Sequence, residues 1–127
     1  MQSEDSVRIL IVDDNVDSAE LLASTVKREG HEAAVARNVD EALSVARRFK
    51  PQIAFLDIMI RCESGYLLAR DLRDLPEVAE CRFIAMTGFV HEKHREASDA
   101  AGFVRHLTKP LESDAVFEAI AAATPKA

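Results

Sequence analysis

Short apolar runs alternate along the chain with longer segments in which apolar residues recur every three or four positions. The first run, residues 8–12, places Leu and β-branched residues at successive positions, as is typical of a central parallel strand buried on both faces. The same reasoning predicts further strands at residues 32–36, 52–56, 82–86 and 103–107. The hydrophobic pattern therefore indicates five strands, each followed by a helical segment.

Polar caps and chain-breaking residues predict where the first helices begin and end. Asn15 is expected to cap the first helix, which ends before Gly30. Asn38 and Glu41 have the spacing of a capping box ahead of the second helix, and Pro51 ends that helix. The residues expected to face the core from these two helices and from two later ones are Ala19, Leu22, Ala23, Val26, Ala42, Val45, Ala46, Phe49, Leu68, Ala69, Leu72, Leu75, Val116, Phe117 and Ile120.

Two segments have weaker patterns. Residues 60–65 follow the third strand and are predicted to form a loop that contains Gly65. Residues 91–101 have a helical composition, but their apolar stripe consists only of alanines. Because so little apolar surface would be buried there, we expect 91–101 to be the most mobile helix.

The alternation of strands and helices predicts an α/β fold, a doubly wound five-stranded parallel sheet with strand order 2-1-3-4-5. We expect a single domain over residues 1–127, with its core at about residues 7–121. In such a sheet, ligands bind beyond the carboxyl ends of the strands where the strand order reverses. The first and third strands flank that point.

Composition narrows the classes of function. The chain has 16 basic and 22 acidic residues, a net charge of −6, so direct binding of nucleic acid is not expected. No apolar stretch approaches the ~20 residues of a membrane helix, and the start of the chain is polar, so we expect a cytoplasmic protein without membrane insertion. The spacing between Cys62 and Cys81 is neither that of a metal-binding pair nor that of a redox pair of cysteines. Both are expected to be separate, reduced thiols.

Acidic residues come directly after two of the predicted strands. Asp13 and Asp14 follow the first strand, and Asp57 follows the third, so the predicted topology brings the three carboxylates together. Clustered carboxylates repel one another unless a cation neutralises them. A compact set of oxygen ligands suits Mg²⁺, and Mn²⁺ is expected to substitute.

Two further residues complete a recognisable set. Thr87 follows the fourth strand, and Lys109, with Pro110 after it, follows the fifth. Together with the acidic residues, these positions resemble the response-regulator receiver family of two-component signalling, over about residues 7–120. The resemblance implies a flavodoxin-like fold.

The resemblance also implies a role for each residue. Asp57 would accept a phosphoryl group, and Asp13, Asp14, Asp57 and the backbone carbonyl of Met59 would bind Mg²⁺. The Thr87 hydroxyl would hydrogen-bond the phosphoryl group, and the Lys109 ammonium would pair with one of its oxygens. His106 occupies the position of a switch residue that moves together with Thr87, although a surface imidazole is an equal alternative.

The implied function is that of a signalling module rather than an enzyme acting on other substrates. The donor would be a phosphohistidine of a histidine kinase or a histidine phosphotransfer protein. The output would pass through the face formed by helix 91–101, the fifth strand and the last helix to an unidentified partner. The protein would be a monomer or a phosphorylation-dependent dimer, either stand-alone or part of a hybrid kinase.

The chain departs from the family pattern after the acceptor residue. A proline common in this family is absent from residues 60–64, and Met59 and Phe89 stand where polar residues are common. Because apolar side chains there would limit the access of water to the phosphoryl group, we expect slow intrinsic dephosphorylation.

Two other functions remain as alternatives. The first is a Mg²⁺-dependent phosphohydrolase of the haloacid dehalogenase type, which also uses an aspartate nucleophile but needs a second acid at the position of Met59. The second is an unphosphorylated binding scaffold with a receiver fold.

Overall fold

A computed structural model describes residues 6–57, 59–60, 63–78, 80–87, 103–108 and 111–123, with backbone alone at 59–60, 63–67, 77 and 87. Parallel strands form the centre of this structure. Their bounds are β1 Arg8–Val12, β2 Glu32–Ala36, β3 Ile53–Asp57, β4 Arg82–Thr87 and β5 Phe103–Thr108. Their order in the sheet is β2-β1-β3-β4-β5, which confirms the predicted topology.

Helices cover both faces of the sheet. They are α1 Val16–Arg28, α2 Val39–Phe49, α3 Gly65–Arg73 and α4 Ser113–Ala123. Successive side chains of a strand point to opposite faces, so β1 contributes to two cores. Leu10 and Val12 pack with α2 and α3, whereas Ile9 and Ile11 pack with α1 and α4. This is why the strand is apolar at every position.

Side-chain caps begin the first two helices where the sequence predicts them. The Asn15 side chain accepts a hydrogen bond from the Ser18 N–H at 3.0 Å, and the Asn38 side chain accepts one from the Glu41 N–H at 2.8 Å. At the opposite end of the sheet, the Arg8 Nε–H donates to the carbonyl oxygens of Phe49 and Lys50. These bonds satisfy backbone groups that a helix end leaves without a partner in the helix.

Three local features differ from the prediction. The expected loop at 60–65 is wrong, because Met59–Ile60 pairs antiparallel with Glu63–Ser64 in a short hairpin, and Gly65 is the first residue of α3. Two-residue strands are too short to show an alternating pattern in sequence. A 3₁₀ turn, Pro76–Val78, was also not predicted.

Most residues predicted to face the core are buried, and Val45, Phe49, Leu75 and Phe117 are partly buried. The predicted helix 91–101 and Cys62 lie outside the described residues, whereas Cys81 is a buried free thiol. Within the described parts of the chain, no helix combines the length and apolar character needed to cross a membrane.

Candidate metal site at the carboxyl edge of the sheet

Strand register places two of the predicted acidic residues beside each other. Val12 of β1 lies opposite Leu56 of β3, so the next residues, Asp13 and Asp57, leave neighbouring strands at the same level. The apolar residues that precede each aspartate are fully buried and fix both strand ends in the core. The sheet itself therefore brings these carboxylates together.

The structure brings together all three acidic residues predicted to form one site. Carboxylate oxygens of Asp13, Asp14 and Asp57 lie within 4.8 Å of one another. Asp13 is 1% exposed and Asp57 is 8% exposed, while Asp14 is partly exposed. Carboxylates that lie this close together and are this buried need a compensating positive charge or hydrogen bonds, because buried charges are normally paired or bound to metals.

The backbone around Asp13 holds its side chain in position. The Asp13 N–H donates to the Ala36 carbonyl at 3.1 Å and extends the pairing of β1 with β2. The Asn15 N–H then donates to Asp13 Oδ1 at 2.9 Å. The sequence indicated Asn15 only as a helix cap, so its second role, orienting an acidic residue of the site, was missed. The Asp-x-Asn spacing is the signal that could have shown it.

Electrostatics explain why this arrangement suits a cation. At an effective dielectric constant of about 20, two carboxylate charges separated by 4–5 Å repel by roughly 3–4 kcal/mol. Three mutually adjacent carboxylates contain three such pairs, and a divalent ion among them converts this repulsion into attraction. The donors are all oxygens, which Mg²⁺, Mn²⁺ and Ca²⁺ prefer to nitrogen or sulfur.

The remaining predicted site residues lie at the same edge or outside the described residues. Thr87 is the last residue of β4 and pairs with Thr108, the last residue of β5. Lys109 comes next along the chain and is outside the described residues. Met59 lies in the hairpin two residues after Asp57, and His106 is partly buried on β5 opposite Ala85.

The sequence of the chain is similar to a known protein family and to individual proteins over most of its length. A family model described as the response regulator receiver domain matches residues 9–121. An uncharacterized 14.6 kDa protein of Leptolyngbya boryana is 35% identical over 112 residues, which are 88% of this chain and 86% of that protein. The polar-differentiation response regulator DivK of Brucella anthropi is 29% identical over 112 residues, 88% of this chain and 91% of that protein.

A solved structure extends this similarity to three dimensions. A response regulator protein from Burkholderia pseudomallei superposes with a TM-score of 0.83 at 27% identity, covering 91% of this chain and 66% of that one. That structure contains a phosphorylated aspartic acid, a calcium ion and citrate.

Proposed function

Since the chain belongs to the response-regulator receiver family of two-component signalling, we propose that it accepts a phosphoryl group on Asp57. The donor would be a phosphohistidine of a histidine kinase or a histidine phosphotransfer protein. The observation that carries the proposal is the cluster of Asp13, Asp14 and Asp57 at the carboxyl ends of β1 and β3, where doubly wound sheets bind ligands.

A divalent ion is the group that this donor set fits. The carboxylates of Asp13, Asp14 and Asp57, together with the Met59 carbonyl, would hold Mg²⁺, and Mn²⁺ would substitute. When bound, the ion would neutralise negative charge on the phosphoryl oxygens during transfer. The Burkholderia pseudomallei relative, with its phosphorylated aspartic acid and calcium ion, supports this assignment.

The transfer itself asks mainly for correct placement. A carboxylate oxygen of Asp57 would form a bond to phosphorus as the phosphorus–nitrogen bond of the donor breaks. The electron pair of that bond would remain on the imidazole nitrogen of the donor. Thr87, at the end of β4, would hydrogen-bond the transferred group, and Lys109 would pair with one of its oxygens.

Phosphorylation would then change the binding of a partner. A phosphoryl group carrying about −1.5 to −2 charges would replace the single negative charge of the Asp57 carboxylate, which would bias a two-state arrangement of Thr87 and His106. The change would reach an output surface formed by β5, α4 and the helix that the sequence predicts at residues 91–101. In this proposal the chain acts on no other substrate and is not an enzyme in the usual sense.

The lifetime of the phosphoryl group would depend on residues beside it. We expect slow hydrolysis because Met59 and Phe89 are apolar at positions where water would approach. If Met59→Asn does not shorten the half-life of phosphorylated protein, the Met59 side chain has no shielding role.

Mass spectrometry of the intact protein tests the acceptor directly. After incubation with acetyl phosphate and Mg²⁺, the natural protein should gain the mass of one phosphoryl group, and it should gain none in EDTA. Asp57→Asn should gain none in either condition. Asp74→Asn removes an exposed aspartate outside the cluster and should be phosphorylated normally. Uptake by Asp57→Asn equal to that of the natural protein would exclude Asp57 as the acceptor.

This mass measurement, together with an assay of phosphate release, separates the alternative functions. A phosphohydrolase of the haloacid dehalogenase type would release inorganic phosphate continuously from a small phosphate ester. A binding scaffold would gain no mass under any of these conditions. The position of Met59, where a hydrolase needs its second acid, already favours the receiver function.

A further inference from the structure

Strand β2 forms one edge of the parallel sheet. Among the described strands it pairs only with β1, so one of its sides has no neighbouring strand. Its register with β1 runs from Glu32, opposite Arg8, to Ala36, opposite Val12. The outer side of β2 is therefore a boundary of the sheet, of the kind at which a strand from another chain can pair.

The hydrogen bonds on the β1 side show which backbone groups face that boundary. The Glu32 N–H and the Ala36 carbonyl each bond to a residue that flanks β1, both at 3.1 Å. Successive residues of a strand direct their backbone groups to opposite sides, so Ala34 also bonds to β1. Ala33 and Val35 consequently direct their N–H and C=O groups away from β1, along the outer edge.

Little in the sequence of β2 protects this edge against pairing. The strand reads Glu-Ala-Ala-Val-Ala and contains neither proline nor lysine, two residues that commonly block exposed edges. Ala33, Ala34 and Val35 are partly exposed, whereas the residues of β1 opposite them are buried. The helices on the two faces of the sheet thus leave the apolar side chains of β2 incompletely covered.

We propose that β2 pairs antiparallel with β2 of a second copy of the chain, about a two-fold axis at Ala34, so that the two sheets become one. In this register Ala33 lies opposite Val35 of the second copy, and the two residues exchange both of their backbone hydrogen bonds. Ala34 lies opposite its own counterpart in a non-hydrogen-bonded pair, in which Cα atoms are about 4.5 Å apart. Alanine is small enough for that approach. The two-fold axis closes the assembly at a dimer.

The helices beside β2 favour a second copy as the occupant of this edge. Helices α1 and α2 each contact both β2 and β1, so they lie over the edge of the sheet on its two faces. With strands spaced about 4.8 Å apart, the matching helices of two copies would lie about 10 Å apart, a usual distance between packed helices. A lone extended peptide would leave those helices without a partner.

Charges on the two helices match the same arrangement. Each helix has acidic residues in its first turn and basic residues in its last turn: Asp17, Lys27 and Arg28 in α1, and Asp40, Glu41, Arg47 and Arg48 in α2. The two-fold axis sets each helix antiparallel to its counterpart, so the acidic turn of one copy approaches the basic turn of the other. This local complementarity offsets part of the repulsion between two chains of net charge −6.

The pairing leaves the acidic cluster open. Asp13 and Asp57 lie at the ends of β1 and β3, and neither of these strands forms the outer edge. Association through β2 should therefore need neither metal nor phosphorylation, and in this it differs from a phosphorylation-dependent dimer.

Disulfide cross-linking tests the register. Ala34→Cys places two thiols across the axis at a Cα separation of about 4.5 Å, which a disulfide can span. Ala33→Cys is the matched control, because its two Cα atoms would lie about 8–9 Å apart, beyond the reach of a disulfide. Both variants also carry Cys62→Ser, and Cys81 is buried. In a mild oxidant, Ala34→Cys should form a covalent dimer about 10-fold faster than Ala33→Cys. Equal rates would exclude this register and overturn the proposal.

Sedimentation velocity in EDTA measures association of the natural protein. We expect a dimer with a dissociation constant on the order of 100 µM, because the net charge opposes tighter binding. Ala33→Pro removes an outward N–H but no bond to β1, a change that edge strands tolerate, and should weaken the dimer about 10-fold. Asp57→Asn should associate as the natural protein does. A natural protein that stays monomeric at about 1 mM, or normal association of Ala33→Pro, would contradict the proposal.

Hydrogen exchange gives a measurement specific to this edge that needs no variant. The amide protons of Ala33 and Val35 should exchange more slowly as the concentration of the natural protein rises, because they gain partners in the dimer. The Ala34 amide proton bonds to β1 and should be protected at every concentration. Unchanged exchange at Ala33 and Val35 in a dimeric sample would place the contact elsewhere in the molecule. These outcomes are independent of whether Asp57 accepts a phosphoryl group.

Discussion

Lys50 is the residue at which the backbone of α2 turns towards β3. Its φ of 53° is in the left-handed region, and its N–H donates to the Ala46 carbonyl at the end of the helix. This conformation costs a residue with a Cβ about 1 kcal/mol, whereas glycine adopts it freely. A single residue thus stores strain in an otherwise regular connection.

Lys50→Gly should therefore raise the free energy of unfolding by about 0.5–1 kcal/mol, after allowing for the greater entropy of glycine in the unfolded chain. Urea denaturation monitored by circular dichroism measures the difference. Lys50→Ala keeps the Cβ and should give no comparable gain. An equal gain in both variants would show that the lysine side chain, and not the backbone, is responsible.

Cys81 is a buried residue whose pKa is clearly shifted. Burial raises the pKa of the Cys81 thiol from 9.0 to about 12, partly opposed by the charge of the Arg73 guanidinium. Below pH 9 both the folded and the unfolded chain keep the thiol proton. Above pH 9 the unfolded chain loses it and the folded chain does not, so stability falls as the pH rises towards 12.

The expected size of this loss is about 1.4 kcal/mol per pH unit within that window. The test compares the natural protein with Cys81→Ala by urea unfolding at pH 8 and pH 10. The difference in stability between the two proteins should shift in favour of the variant by on the order of 1 kcal/mol at pH 10. A constant difference would mean that the Cys81 thiol is ionised equally in the folded and unfolded states.

At the scale of a secondary-structure element, α2 depends on its first residues. The Asn38 side chain accepts from the Glu41 N–H, one of the donors that has no partner within the helix. Asn38→Ala should lower the free energy of unfolding by about 1 kcal/mol, and Asn38→Ser should retain most of the stability. Thermal unfolding of both variants gives the comparison; equal losses would indicate that the cap contributes little here.

The elements that the sequence predicts well are those with signals inside the element. Caps such as Asn15 and Asn38, and the apolar faces of α1 and α2, depend on neighbours within a few positions, so they are visible in sequence. The hairpin formed by Met59–Ile60 and Glu63–Ser64 has no such signal, because each strand has only two residues. The 3₁₀ turn at Pro76–Val78 is equally short and was missed for the same reason.

At the scale of the whole molecule, the acidic cluster was predictable, whereas a cleft between α1 and α4, lined by Leu22 and Val116, was not. The cluster follows from topology alone, since strand order places Asp13 and Asp57 at neighbouring strand ends. The cleft depends on the spacing between α1 and α4, which are distant in sequence and are brought together by packing on one face of the sheet. No local pattern reports the gap that remains between two packed helices.

In the proposed function the cluster holds a metal ion, so the stability of the whole domain should depend on that metal. A ligand that binds only the folded chain stabilises it by mass action, by about 2.7 kcal/mol at a concentration 100-fold above its dissociation constant. Saturating Mg²⁺ should therefore raise the Tm relative to EDTA. Removing one of the three carboxylates should stabilise the folded protein in EDTA, because it relieves repulsion between the carboxylates. In Mg²⁺ the same change removes a ligand of the ion and should reduce the stabilisation that the ion provides.

Asp14→Asn is the clearest variant for this test, because Asp14 is less buried than its two neighbours and its replacement disturbs the core least. In EDTA it should be more stable than the natural protein by about 1–3 kcal/mol. The increase in stability from EDTA to saturating Mg²⁺ should be smaller for Asp14→Asn than for the natural protein. Asp74→Asn removes the same charge from an exposed position outside the cluster and should change neither value. If Asp14→Asn behaves as Asp74→Asn does, the carboxylates do not repel one another strongly enough to need a cation, and the case for a metal at this edge is lost.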